Sequence, residues 1–219
     1  MKHLVDLKRR GLVVLVSVTS LLAFAGLAWA ASVTFMTGGG VWTKVSGLEH
    51  AFTREWSPNS GREGIRGFTF YEKSDDPCAI DLLMRKLCSR NCEQKETQRI
   101  EFEHEGVGFP PFKVDMWTVK ASEDRFVTSV QVCFNGKDDA TKMKIKGLRV
   151  WEASIDETGK LTYYEKEREE QLNNCTDWKN KVSCPDGKVA VGARAYYATA
   201  KTGFAGLALY CAAPKIVVP

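Results

Sequence analysis

The chain has 219 residues, 44% hydrophobic and 26% charged, with 18 Gly, 7 Pro and 7 Cys. That composition excludes wholesale disorder and fibrous architectures, and the length permits a sizeable core. The formal net charge is +4, but residues 1–30 hold Lys2, Lys8, Arg9 and Arg10 against Asp6 alone, leaving 27 basic and 26 acidic side chains elsewhere; so nearly neutral a chain has no global field to gather nucleic acid, and no nucleic-acid partner is expected.

Residues 1–30 read as a signal peptide. Lys8-Arg9-Arg10 is a basic leader, 12–27 is an uncharged apolar run, and Ala28-Trp29-Ala30 is an A-x-A cleavage site, so the mature chain is expected to start at Ala31. The apolar run is short against the ~20 residues a membrane span needs. No membrane span is expected after cleavage, and the protein is expected to be secreted or periplasmic. All seven cysteines (78, 88, 92, 133, 175, 184 and 211) follow the leader. In an exported chain they read as disulfides rather than metal ligands, so neither metal nor cofactor is expected. Asn174-Cys175-Thr176 has the form of a glycosylation sequon.

Residues 31–219 are expected to form a single β-rich domain. Short β runs flank Gly38-Gly39-Gly40, with Trp42 just beyond. Residues 57–64 are loop, and 65–70 alternate as a strand. Asp76-Pro77 opens a predicted helix, with Ile80, Leu83, Met84 and Leu87 at helical spacing and Cys88 and Cys92 at its end. This helical, Cys-bearing insert is taken to span 76–105. Further strands are predicted at 112–119, 127–134, 143–151, 161–164, 188–197 and 204–211. The charged run 165–170 reads as a solvated loop or short helix face.

Three segments look alike: 64–70, 144–150 and 203–209. Each carries apolar, any, Gly, apolar, any, apolar, with glycines at 67, 147 and 206. An alternating strand precedes the second and third copies, and 48–56 is the candidate strand before the first. A threefold repeat of strand pairs implies three sheets sharing one core. Cys184 should precede one strand of the last pair and Cys211 should end the other, which brings them within disulfide reach.

Trp178-Lys-Asn-Lys-Val-Ser-Cys184-Pro-Asp-Gly187, Val191-Gly192 and Gly203-Phe-Ala-Gly206-Leu-Ala-Leu-Tyr-Cys211 resemble the vitelline membrane outer layer protein I family. Asp138-Asp139-Ala-Thr141 before Ile145-Lys-Gly147 is similar to that family's Asp-Asp-Thr segment. The resemblance covers the C-terminal half. It implies a mainly β fold, a β-prism-like arrangement of three Greek-key sheets, in a secreted coat protein of lectin-like architecture.

No G-x-S-x-G, H-E-x-x-H, P-loop, EF-hand or dinucleotide motif occurs. Glu101, Glu103 and Glu105 would share one face of a strand, as a glycosidase pair requires and as any half-exposed strand also allows. The candidate ligand-binding residues are Trp42, Asp138, Asp139 and Tyr197. Asp138-Asp139 suits sugar hydroxyls, and equally a hairpin turn. The expected function is a non-enzymatic binding or structural module facing glycan. The alternatives are a protein-binding inhibitor or envelope-assembly factor acting through 76–105 and, last, a carboxylate-dependent glycoside hydrolase. The expected partner is a glycan or an extracellular or envelope protein.

Overall fold

The computed structural model describes residues 32–49, 53–57, 61–73, 76–87, 95–101, 115–136, 143–197 and 203–217. The leader, Cys88, Cys92, Glu103, Asp138 and Asp139 lie outside them. In chain order, β1 (Ser32–Phe35), a 3-10 turn (Thr37–Gly39), β2 (Val41–Trp42), β3 (Ser46–Gly47) and β4 (Thr53–Trp56) come first. Next are β5 (Glu63–Lys73), β6 (Asp76–Lys86), β7 (Lys95–Glu101) and β8 (Asp115–Lys120). Then follow β9 (Arg125–Phe134), β10 (Ile145–Ile155), β11 (Leu161–Gln171), β12 (Asp177–Trp178) and β13 (Val182–Ser183). The chain closes with β14 (Val189–Tyr197), β15 (Phe204–Ala212) and β16 (Pro214–Val217).

Among the described residues these strands make three antiparallel sheets of four or five strands and a two-stranded one, β1 with β16. The first has the order β8-β5-β6-β7 and the second β12-β9-β10-β11, with β13 also on β9. Both are Greek keys, three successive strands with a fourth returning beside the first. The third has the order β4-β14-β15-β2, with β3 also on β15. Its members come from both ends of the chain. It becomes the same key when the ends are read as joined, and β1 pairs with β16 to join them. One apolar cluster runs through all three sheets, from Phe68, Phe70, Ile80 and Leu82 through Val130, Phe134 and Leu148 to Phe204, Leu207 and Leu209. Three sheets share one core, as the repeat implied, and the arrangement is a β-prism, as the family resemblance implied.

The pseudo-threefold is written in the bulges. Each central strand pair skips one residue on each strand: Arg66 and Cys78 in the first sheet, Thr128 and Lys146 in the second, Val191 and Ala205 in the third. Such extra residues bend a strand and raise its twist, which curls each sheet around the shared core. The structure also corrects the alignment of the repeat. Gly147 and Gly206 follow the bulge on the second strand of their key, but Gly67 follows the one on the first, where its counterpart is Gly192. The partner of β5 is β6, whereas Thr53–Trp56 pairs with β14 in the third sheet.

At Gly67 and Gly192 the neighbouring strand comes too close for a side chain. A Cβ there would lie 2.5 Å from the Val119 carbonyl oxygen and 2.6 Å from that of Trp56. Since backbone must yield, Gly67→Ala is expected to cost about 1–3 kcal/mol, the range for overpacking. Urea unfolding of the variant checks this.

Two segments differ from expectation. Asp76–Lys86 is a central strand, not a helix. Ile80 and Met84 are four apart, a spacing that lies on one face in both a helix and a strand. Leu82 joins them in the core, as period two requires, while Leu83 is half-buried on the other face. Pro77 sits near the start of β6, before its pairing with β7 begins at Ala79, where a missing N–H costs least. Residues 165–170 belong to β11, an edge strand whose exposed charges discourage pairing with other chains.

Cys184 joins Cys211, with Cα atoms 5.6 Å apart, because Ala190 at the start of β14 lies opposite Cys211 near the end of β15. Cys133 joins Cys175, tying β9 to the turn before β12. Cys78 is buried, and its thiol donates to the Tyr71 carbonyl. Among the described residues no helix is long and apolar enough to cross a membrane. The two disulfides fit an oxidising, extracellular setting.

Candidate functional site

Trp42 stands on the outer face of the third sheet, opposite Tyr210 in the β2–β15 register. Their rings lie 5.0 Å apart, tilted by 45°. On β14, Arg194 is opposite Glu55 of β4 and Ala208 of β15. The small Ala208 lets the guanidinium swing back over the indole, its Cζ 4.2 Å from the ring centre. Arg194 Nε donates to Glu55 Oε2 at 2.6 Å. Burial pulls the Arg194 pKa down, but bonds to Tyr196 and Glu55 raise it by more, so the cation is held firmly charged.

The glycine turn closes one side of this group. Tyr210 Oη donates to the Thr37 carbonyl at 2.7 Å, and Lys188 Nζ to that of Gly39 at 3.1 Å. The Tyr210 ring fills the space a Cβ on Gly40 would need. Gly38 and Gly39 have nothing within 4 Å of the missing side chain and are exposed. A pinned backbone therefore lies open beside Tyr210, whose ring meets that of Trp42. Backbone bared by glycine can be approached closely by a ligand, and an aromatic face suits the C–H side of a sugar.

Of the other candidates, Tyr197 does not join it. Tyr197 is only 3% exposed and stacks on Phe204 with centroids 4.9 Å apart, which leaves it little face to offer a ligand. Burial drives its phenol pKa up. Asp138 and Asp139 fall in the connection from β9 to β10, the counterpart in chain order of the connection from β14 to β15. Glu101 lies on β7, while Glu103 and Glu105 lie outside the described residues. Nor do the five tryptophans after the leader form one platform. Trp117 is stacked in the core on Phe70 at 4.2 Å, and Trp56 packs against the core. On the second sheet, Arg149 covers Trp178 at 3.9 Å and Lys181 covers Trp151 at 3.8 Å. Among the described residues no cluster of His, Cys, Asp and Glu is arranged to hold a metal ion.

Arg194, Glu55 and Tyr210 were missed in the sequence. Arg194 was findable, as the one charge inside the apolar run Val189–Tyr197. Glu55 was not, because only the register of β4 on β14 brings it there.

The sheets and their keys define a β-prism. The chain is similar in structure to Calystegia sepium agglutinin, with 12% identity over 78% of this chain and 95% of that one, TM-score 0.46. It is similar to single-chain recombinant jacalin at 8% identity, over 79% and 94%, TM-score 0.45. It is also similar to a mannose-specific jacalin-related lectin from Morus nigra in complex with mannose, at 11% identity over 79% and 94%, TM-score 0.43. No family model and no curated protein sequence matches the chain.

Proposed function

We propose that this protein is an exported, non-catalytic module that binds glycan through the Trp42 site. The lectins above share a fold with it at low identity, so the reading rests on the chain's own site. One observation carries it: the Trp42 ring meets both the Arg194–Glu55 pair and Tyr210, and Tyr210 with Lys188 pins the exposed glycine turn. Ring face, an open glycine turn and a charged rail are what a sugar needs, with C–H groups to stack and hydroxyls to satisfy. The resemblance to the vitelline membrane outer layer family supports a place in an extracellular coat, and the leader supports secretion or periplasmic export. Asp138 and Asp139 are kept as further ligand contacts.

A glycan array followed by titration calorimetry tests this. Trp42→Ala should weaken the bound sugar at least about tenfold, near 1.4 kcal/mol, with an unchanged melting temperature. If no glycan binds while one protein partner co-purifies, the protein-facing alternative replaces this reading.

A further inference from the structure

We propose that the Arg194–Glu55 pair sets the class of sugar this site accepts: a neutral ring gripped by two adjacent hydroxyls, with carboxylated sugars turned away. The inference rests on the glycan reading above.

The pair is unusually well fixed for a surface ion pair. Arg194 is held by Trp42 beneath it, by Tyr196 and by Glu55. Both contacts from the guanidinium, through Nε and through one terminal nitrogen, go to the same carboxylate oxygen, Oε2. Oε1 therefore makes no hydrogen bond among the described residues, and the Glu55 side chain is 49% exposed. The Arg194 side chain is itself 29% exposed. An acceptor, Oε1, thus stands beside remaining Arg donors at the rim of the Trp42 ring.

That is the pattern of a diol reader. A sugar hydroxyl donates one hydrogen bond and accepts others, so of two neighbouring hydroxyls one donates to Oε1 while the other accepts from Arg194. The ring's C–H face then lies toward Trp42. A carboxylated sugar meets a different surface. Glu55 already neutralises Arg194, so the pair offers no net positive charge. The oxygen facing the ligand is anionic, and a carboxylate cannot donate to it. Like charges this close, next to an apolar ring, disfavour the uronate.

The experiment measures binding of gluco-, manno- and galacto-oligosaccharides against their uronate counterparts, oligoglucuronate, oligomannuronate and oligogalacturonate. Wild type, Glu55→Gln and Trp42→Ala are compared, each checked by thermal melting. Wild type should bind at least one neutral series about tenfold or more tighter than its uronate. Glu55→Gln keeps the shape and removes the charge, so it should narrow that ratio at least fivefold, mainly by strengthening the uronate. If Trp42→Ala weakens binding but uronates bind as well as neutral sugars, or Glu55→Gln leaves the ratio unchanged, the class assignment falls and the glycan site stands. If no series binds, or Trp42→Ala has no effect, the glycan site falls and this inference with it.

Discussion

Lys146→Ala should lower the unfolding free energy by about 3–5 kcal/mol, the cost of stranding one member of a buried ion pair. Lys146 is fully buried, and its Nζ lies 3.0 Å from Glu72 Oε2. Glu72 belongs to β5 in the first sheet and Lys146 to β10 in the second, so the pair spans the two sheets inside the prism. The other oxygen, Glu72 Oε1, accepts from Trp117 Nε1 at 3.3 Å. Without the lysine the carboxylate stays in the core with its charge uncompensated. Replacing both partners by apolar groups, Lys146→Met with Glu72→Leu, removes both charges and should recover most of the loss. Urea unfolding of the two single variants and the double gives a double-mutant cycle. Additive losses with no recovery would show that the pair does not act as a unit.

The second large effect is expected on reduction. The bridges Cys133–Cys175 and Cys184–Cys211 close sequence separations of 42 and 27 residues. Chain entropy assigns loops of that length roughly 3.5–4 kcal/mol each. Their sum is of the order of a whole domain's stability of about 5–15 kcal/mol. The protein should therefore melt cooperatively when oxidised and be largely unfolded at 37 °C in excess dithiothreitol. Alanine replacement of each cysteine pair separately should lower the melting temperature by comparable amounts. A melting curve unmoved by reductant would contradict the role given to the bridges. Peptide mapping without reduction should recover Cys184 linked to Cys211 and Cys133 linked to Cys175.

Lys146 also marks the limit of reading this fold in its sequence. The strands of 127–134, 188–197 and 204–211 were legible because alternation and glycine punctuation agree there. So was the Cys184–Cys211 bridge, which follows from antiparallel pairing alone. Lys146 stands next to Ile145 and two before Leu148, so two phases of alternation compete there, and the lysine itself reads as facing solvent. The bulge takes up the extra residue and lets Ile145, Lys146 and Leu148 all be buried. A glycine follows four of the six bulges in the central strand pairs, but a strand glycine does not say where the alternation breaks. The same limit explains Asp76–Lys86, where a spacing of four fits two periods and pairing with β5 decides. The site was half legible. Trp42 and the glycines announce themselves, whereas Glu55, Arg194 and Tyr210 meet only through registers between strands from opposite ends of the chain.

That last arrangement has a consequence in time. The first and second sheets draw their strands from consecutive stretches of chain, so each can form soon after it is made. The third cannot: β2, β3 and β4 come first and wait for Val189–Tyr197 and Phe204–Ala212, made almost last. Trp42 and Glu55 thus exist for most of the chain's synthesis without the strands that align them. The strands of the proposed binding face are complete only once β15 has been made, and a chain cut short before β14 has the ring and the carboxylate but not the strands that align them.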